Sequence, residues 1–340
     1  MTYKEIIENN CKLYPHNGWW PKYAFHYTDV TNARGILEQQ CLYSRYDAKD
    51  KSLMVNDNAS RQVIDMTFSG ATADVRFYFR PLTPTQYHNE GFKHINIRYD
   101  RDENANVPVP VFFCFDLERM LENGEVEFSE MSLAGAGSSV LSGIQSFAQL
   151  NFAEIYKDGR MDNPELEKKY RQAEIIHRGP FPIEEYLVGI ICRNEPERQT
   201  LLNLLRNESN KLFSKYKSMI RVNQSCFENN AFYIEDCIYN DGRITISLSN
   251  TYKKYRYLEK YKRDNEALLV KGRVEIDYMK SSTLINREGC NILLDYENGG
   301  QIVFDNLNIP KGATSVHMKV FFEEKLMCYM CWQLADAALL

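Results

Sequence analysis

The chain has 340 residues, 44% of them hydrophobic and 26% charged, with a net charge of −5. This composition excludes a disordered chain, a collagen, a coiled-coil rod and a generic basic nucleic-acid coat. At ~100–200 residues per domain the length favours two domains. No window reaches the ~18 consecutive apolar residues of a membrane span. The polar start MTYKEIIENN has no signal-peptide core, so a cytoplasmic location is expected.

In chain order, KYAFHYTDVT (22–31) reads as a strand ending in polar residues, and Thr31 as the cap of a short helix, NARGILEQQ. SRYDAKDKSLMVNDNAS (44–60) is polar and reads as a loop. DVRFYFR (74–80) alternates and predicts a strand stopped by Pro81. VPVFFCFDL (109–117) is a continuous apolar run, the pattern of a buried central strand, followed by a helix that Gly124 ends. GAGSS (135–139) lacks the Lys-Ser/Thr of a phosphate-binding loop. PELEKKYRQAEIIHR (164–178) begins as a helix and turns to a strand near Glu174. YLVGIICR (186–193) predicts another buried strand, and EPERQTLLNLLRNES an amphipathic helix that closes the region.

Beyond about residue 210 short strands alternate with turns. AFYIEDCIY–NDG–RITISLS and NILLDYE–NGG–QIVFDNL read as hairpins. LLVKGRVEIDYM, TSVHMKVFFEE and KLMCYMCWQL add further strands, an all-β pattern. The nine cysteines show no framework spacing and read as free thiols. Cys328 and Cys331 fall in the last strand as wall residues, and no metal is expected. The charge also divides: residues 1–205 carry a net of −7 and residues 206–340 a net of +2.

Walker, GxGxxG, HExxH and GxSxG patterns are missing. Three separated pieces stand out instead. The first is Phe25-His26-Tyr27-Thr28 at a strand end, followed by Asn32. The second is the run from Phe77 to Tyr87, where Pro81 and Pro84 order the exit of an aromatic strand. The third is Arg171-Gln172-Ala173-Glu174-Ile175-Ile176, a carboxylate entering an apolar strand. Each has an ordinary reading: a structural histidine, a strand exit, a solvated strand edge.

Together, in this order, FHYTDVTN, VRFYFRPLTPTQY and RQAEIIH resemble the DarT family, bacterial NAD-dependent ADP-ribosyltransferase toxins that modify single-stranded DNA. The resemblance covers roughly residues 22–195 and leaves 210–340 without a counterpart. It implies an α+β ADP-ribosyltransferase-like fold, a central split mixed β-sheet with flanking helices, over residues 1–207. A sandwich-like all-β domain for target or partner recognition, apart from the NAD site, is expected over 208–340. There are departures. Leu82 stands where the family has an arginine, Thr85 and Gln86 replace an apolar pair, and Asp29 replaces a histidine. These changes lead to the expectation of a target other than thymidine.

Breaking the nicotinamide–ribose bond leaves an oxocarbenium-like ribose, and the incoming nucleophile must lose a proton. One carboxylate can stabilise the cation and act as general base, and Glu174 is the candidate. By the resemblance, NAD+ is a consumed substrate held by His26, Tyr27, Thr28 and Asn32, with Tyr78 or Phe79 facing the nicotinamide. Arg61 would bind the pyrophosphate or steady the transition state, with Arg45 in reserve, because a guanidinium fork suits phosphate. Arg80, Thr83, Thr85, Gln86 and Tyr87 form the expected nucleic-acid-reading loop. Lys253, Lys254 and Arg256, set among tyrosines in 251–263, form a second strip suited to a single strand. Single-stranded DNA is the expected partner, with a neutralising antitoxin of macrodomain or other type. RNA as target, a protein-modifying transferase and a non-catalytic NAD- or nucleic-acid-binding module are the alternatives.

Overall fold

The computed structural model describes residues 1–14, 16–57, 73–98, 102, 106–133, 138–251 and 267–334. Arg61, Lys253, Lys254 and Arg256 lie outside the described residues, as does most of the 135–139 glycine run.

The first part of the chain supplies strands β1 (Tyr23–Asp29), β2 (Cys41–Leu42), β3 (Asp74–Tyr78), β4 (Pro110–Asp116), β5 (Glu127–Phe128), β6 (Glu174–Arg178), β7 (Phe181–Pro182), β8 (Leu187–Cys192) and β9 (Ile220–Val222). Seven of them form one mixed sheet in the order β5-β6-β3-β1-β4-β8-β9, and β2 pairs with β7. All neighbours in the large sheet are antiparallel except β8 and β9. Strand β4 is central and buried from Pro110 to Phe115. Both of its faces are covered, which is why its sequence is a continuous apolar run rather than an alternating one. Much of the aromatic surplus is spent in this core. Phe77, Phe115 and Phe181 meet edge to face at 5.0–5.3 Å, contacts worth about 0.5–1.5 kcal/mol each beyond burial.

The α+β fold matches the expectation, and its local details differ in three places. Thr31 does not cap the helix that follows β1, Val30–Gln39. Asp29 does, accepting from Thr31 N at 3.0 Å, so the helix starts at Val30. The polar stretch after residue 44 contains a short helix, Arg45–Asp50, capped by Ser44, because a serine with an aspartate three residues on supplies the cap locally. The sheet also runs past the expected boundary at 207, since β9 (Ile220–Val222) is its edge strand.

The rest of the chain adds β10 (Ile234–Asn240), β11 (Arg243–Leu248), β12 (Leu269–Lys280), β13 (Thr283–Asp295), β14 (Gly300–Phe304), β15 (Ser315–Phe322) and β16 (Lys325–Gln333). They form two antiparallel sheets, β10-β11-β14 and β13-β12-β15-β16. The Asn-Asp-Gly turn makes the β10–β11 hairpin, as its residue types require. Asn-Gly-Gly does not make a hairpin. It carries the chain from β13 in one sheet to β14 in the other. Gly299, with φ +65°, passes so close to Ser249 that a Cβ would lie 2.4 Å from its carbonyl oxygen, so close backbone approach explains this glycine.

The helix Glu195–Glu208 joins the two parts. Its cap Asn194 and Pro196 start it, and Leu201, Leu202 and Leu205 are buried. Asn203 Nδ2 donates to Tyr329 O at 2.9 Å, and Tyr329 N donates to Thr200 Oγ1 at 2.9 Å. A buried ion cluster adds to the join. Arg193 is fully buried, 3.5 Å from Glu90 and 3.0 Å from Glu197, and its guanidinium lies 3.9 Å from the Tyr233 ring centroid. Glu90 also accepts from Gln86 Nε2, Glu228 N and Asn229 N at 2.6–3.0 Å. No helix among the described residues is long and apolar enough to cross a membrane.

Candidate active site

Strand β1 ends against a cleft lined by His26, Tyr27, Thr28, Asn32, Arg45, Asn56 and Asp57, among others. Asp29 organises its floor. One carboxylate oxygen accepts from Thr31 N, Thr31 Oγ1 and Asn56 Nδ2, and the other from Val109 N. The departure at residue 29 therefore serves as a buried cap and brace. Asn32 clamps the opposite wall: its Oδ1 accepts from Val55 N and Asn56 N at 3.0 and 3.1 Å, and its Nδ2 donates to Asn56 O at 2.7 Å. Both of its polar ends are committed within the protein, so it shapes the cleft rather than reaching into it as expected.

Arg45 opens its helix and holds Asp57 through Nε at 3.0 Å and Nη2 at 2.5 Å. The pair stays partly exposed, at 32% and 23%. A guanidinium oriented by a carboxylate, with donors left over, is suited to a phosphate oxygen. The cleft thus brings together five of the expected NAD-site residues: His26, Tyr27, Thr28, Asn32 and Arg45. Thr28 is buried in its wall. Tyr27 packs its ring on Phe112 at 5.0 Å, and its hydroxyl is buried.

His26 Nδ1 lies 3.1 Å from the Arg76 carbonyl oxygen. Burial lowers its pKa, with that hydrogen bond opposing, so the ring is neutral near pH 7. Because a carbonyl only accepts, Nδ1 carries the proton and Nε2 is the acceptor.

Glu174 is the first residue of β6, 3% exposed, and is paired directly with Tyr78 of β3. Its Oε1 accepts from Leu133 N at 3.1 Å, and its Oε2 lies 3.3 Å from Arg76 Nη1. Ser129 fixes its backbone on both sides. Burial pushes its carboxyl above the usual range, opposed by Arg76 and by the Leu133 N–H. Tyr78, half-buried beside it, is pushed up to about 12, first by burial and then by Glu174. Glu174 does not line the His26 cleft. Arg76 connects the two, its carbonyl on His26 and its guanidinium on Glu174.

Arg76 is the residue that reading the sequence missed. It sits two places before Tyr78 in DVRFYF, and the two-residue period of a strand puts both on one face. That signal was available. Ser129 and Leu133 gave none, because they reach Glu174 across more than forty residues of chain.

Several expected contacts fall away. Phe79 is fully buried against Phe147 and Phe152, so Tyr78 is the less buried of the two. Arg80 is 1% exposed. It donates to the carbonyls of Pro81, Ile155 and Lys157, pairs with Asp158 at 3.4 Å and stacks on Trp20 at 4.7 Å, so it cannot reach a nucleic-acid phosphate. Thr83 is the buried cap of the helix Pro84–Asn89. Gln86 is buried; its Oε1 accepts from Leu82 N, and its Nε2 donates to Glu90 and to Cys226 O. Thr85 accepts from Gln172 Nε2. Thr85 and Tyr87 remain half-buried. The residues at 85 and 86 thus serve internal bonding and no longer speak for a target other than thymidine.

Residues 25–224 match the sequence model of a family described as DarT, ssDNA thymidine ADP-ribosyltransferase. The chain belongs to the DarT family. It is an ADP-ribosyltransferase that uses NAD+ as its substrate and acts on single-stranded DNA, as this family does. Residues 225–340 lie beyond the family match. Among solved structures the chain is similar to DarT of Thermus sp. 2.9 in complex with ADP-ribosylated ssDNA, with a TM-score of 0.49 and 16% identity, over 61% of this chain and 96% of that one. It is also similar to the same protein in complex with NAD+, with a TM-score of 0.46 and 17% identity over 61% and 98% of the two chains. Thermosipho africanus DarTG in complex with ADP-ribose gives a TM-score of 0.44 and 11% identity over 64% and 53%. No curated protein matches the chain.

Proposed function

We propose that this DarT-family chain transfers ADP-ribose from NAD+ to the thymidine base of single-stranded DNA. In our reading the His26 cleft holds the dinucleotide and Glu174 acts as the base. In thymidine the only acidic N–H is on the ring. Its nitrogen bonds to the ribose anomeric carbon, the bond to nicotinamide breaks and nicotinamide leaves neutral. The thymine proton passes to Glu174. A carboxyl raised by burial is a stronger base than an exposed one, which suits a weakly acidic N–H. In its ionised form it also faces the developing ribose cation. The observation that carries this reading is the Arg76 bridge, which links the cleft histidine to a buried carboxylate 3.3 Å from its guanidinium. His26 and Thr28 would hold the nicotinamide–ribose end, and Arg45, steadied by Asp57, the pyrophosphate.

Arg45→Ala is expected to raise KM for NAD+ about tenfold or more, the scale of a hydrogen bond to a charged group, with kcat less affected. Initial rates over a range of NAD+ concentrations check this, and an unchanged KM would move the pyrophosphate elsewhere. Modifying DNA makes such a chain toxic to its own cell. We infer a cytoplasmic toxin paired with an antitoxin, of the macrodomain kind that removes ADP-ribose. The C-terminal part of the chain is the proposed surface for DNA or for that antitoxin, and its positive charge lies in residues 206–221 and in the 251–263 strip rather than in the sheets themselves.

A further inference from the structure

The C-terminal sheets were expected to stand apart from the NAD site, yet one of their hairpins reaches it. Strands β15 and β16 are joined by a two-residue turn, Glu323-Glu324, with Phe322 paired to Lys325. Both turn residues have positive φ, 44° and 65°. A tight hairpin demands this geometry, but Asn or Gly normally supplies it. Two glutamates here are strained, and such strain persists only where the surroundings hold it. The holding contacts are ion pairs on both sides. Glu323 meets Arg98 at 3.1 Å, and Glu324 meets Arg273 at 2.9 Å. Glu323 N also donates to Lys271 O at 2.8 Å.

The residue delivered by this pinned turn is Lys325. Its Nζ donates to Asn56 Oδ1 at 2.5 Å. Asn56 is 8% exposed and lines the cleft beside His26, and its Nδ2 is engaged by Asp29. Asn32 holds its backbone. Lys325 thus completes the bonding of a side chain that ties the 53–57 wall to Asp29 beneath the cleft. We propose that Lys325 is a positioning residue for NAD+ binding, so that the C-terminal sheet, beyond the family match, is part of the NAD-site scaffold. The proposal rests on the reading that the His26 cleft holds NAD+.

The test uses the full chain and compares Lys325→Met, Lys325→Arg, His26→Ala and, as a control on a distant exposed turn, Lys311→Met. Melting temperatures and the NAD+ dependence of transfer to single-stranded DNA are measured for each. Lys325→Met is expected to raise KM for NAD+ about fivefold, within the range of mutations that act on a site without touching its ligand, with kcat and melting temperature near wild type. Lys325→Arg, able to donate to the same oxygen, should restore KM, and Lys311→Met should change neither constant. If His26→Ala raises KM and Lys325→Met does not, the proposal falls and the cleft reading stands. If Lys325→Met lowers kcat and melting temperature together and leaves KM unchanged, the hairpin is structural only and the proposal is overturned. If His26→Ala leaves NAD+ binding intact, the cleft reading falls and takes the proposal with it.

Discussion

Replacing Glu174 by glutamine is expected to lower ADP-ribosyl transfer about 100-fold or more, the lower range for loss of a general base, without lowering the melting temperature. Glutamine keeps the shape and the acceptor for Leu133 N, but it cannot take a proton. The stability argument follows from burial. The folded-state pKa of Glu174 lies above its unfolded value. Its contribution to stability is therefore full below the unfolded pKa and lost as pH rises through the folded one. At neutral pH the ionised carboxylate is a net burden that glutamine removes, so the variant should melt at the same temperature or higher. The same raised pKa sets the acid limb of the rate profile above the ordinary carboxylate range, because only the ionised form accepts the proton. Arg76 opposes the shift, so Arg76→Ala should move that limb to higher pH and recover rate in alkaline buffer. Transfer rates across pH, alongside thermal melts, check both variants. Glu174→Gln turning over at the wild-type rate would end the assignment of the base.

Arg193→Met is expected to destabilise the protein by about 3–5 kcal/mol, the cost of removing one partner from a buried ion cluster. Arg193 has no exposed surface and stands between Glu90 and Glu197, both buried. Without it two carboxylates face each other in an apolar setting, along with the loop that Glu90 holds through Gln86, Glu228 and Asn229. Burial already pushes Glu197 up to about 7, against the pull of Arg193. Its folded pKa is above its unfolded one, so its penalty grows as pH rises through that value. The deficit of Arg193→Met should therefore be larger near about pH 8 than near about pH 5.5. Denaturant melts at the two pH values measure it. A deficit below about 1 kcal/mol, the scale of a surface ion pair, would mean the cluster does not hold the two parts together.

What the sequence shows and what it hides follow from the reach of each interaction. The β1, β3, β4 and β6 strands were legible because their residue patterns, alternating in β3 and continuously apolar in β4, are local. Glu174 at the head of β6 and His26, which lies at the middle of β1 rather than at its end, were legible because the family pattern places them. Arg80 and Gln86 looked exposed because polar residues beside the prolines of a strand exit usually are. Their burial depends on Trp20, Ile155 and Cys226, partners no local window contains. The Asn-Gly-Gly turn has hairpin chemistry, but whether β14 returns to β13 or crosses to β11 is decided by which sheet edge is open. Lys325 carries no local mark at all; its part in the cleft comes from a hairpin pinned by Arg98 and Arg273, far away in the chain.

The central claim is transfer of ADP-ribose from NAD+ to thymidine in single-stranded DNA by this chain, with Glu174 as its base. Its most direct test incubates the full chain and NAD+ with two single-stranded oligonucleotides, one containing thymidine and one with each thymidine replaced by deoxycytidine, and weighs the products by mass spectrometry. The account predicts one ADP-ribosyl group added to the thymidine oligonucleotide, none to its counterpart and none by Glu174→Gln. Equal modification of both oligonucleotides, or of neither, would contradict it.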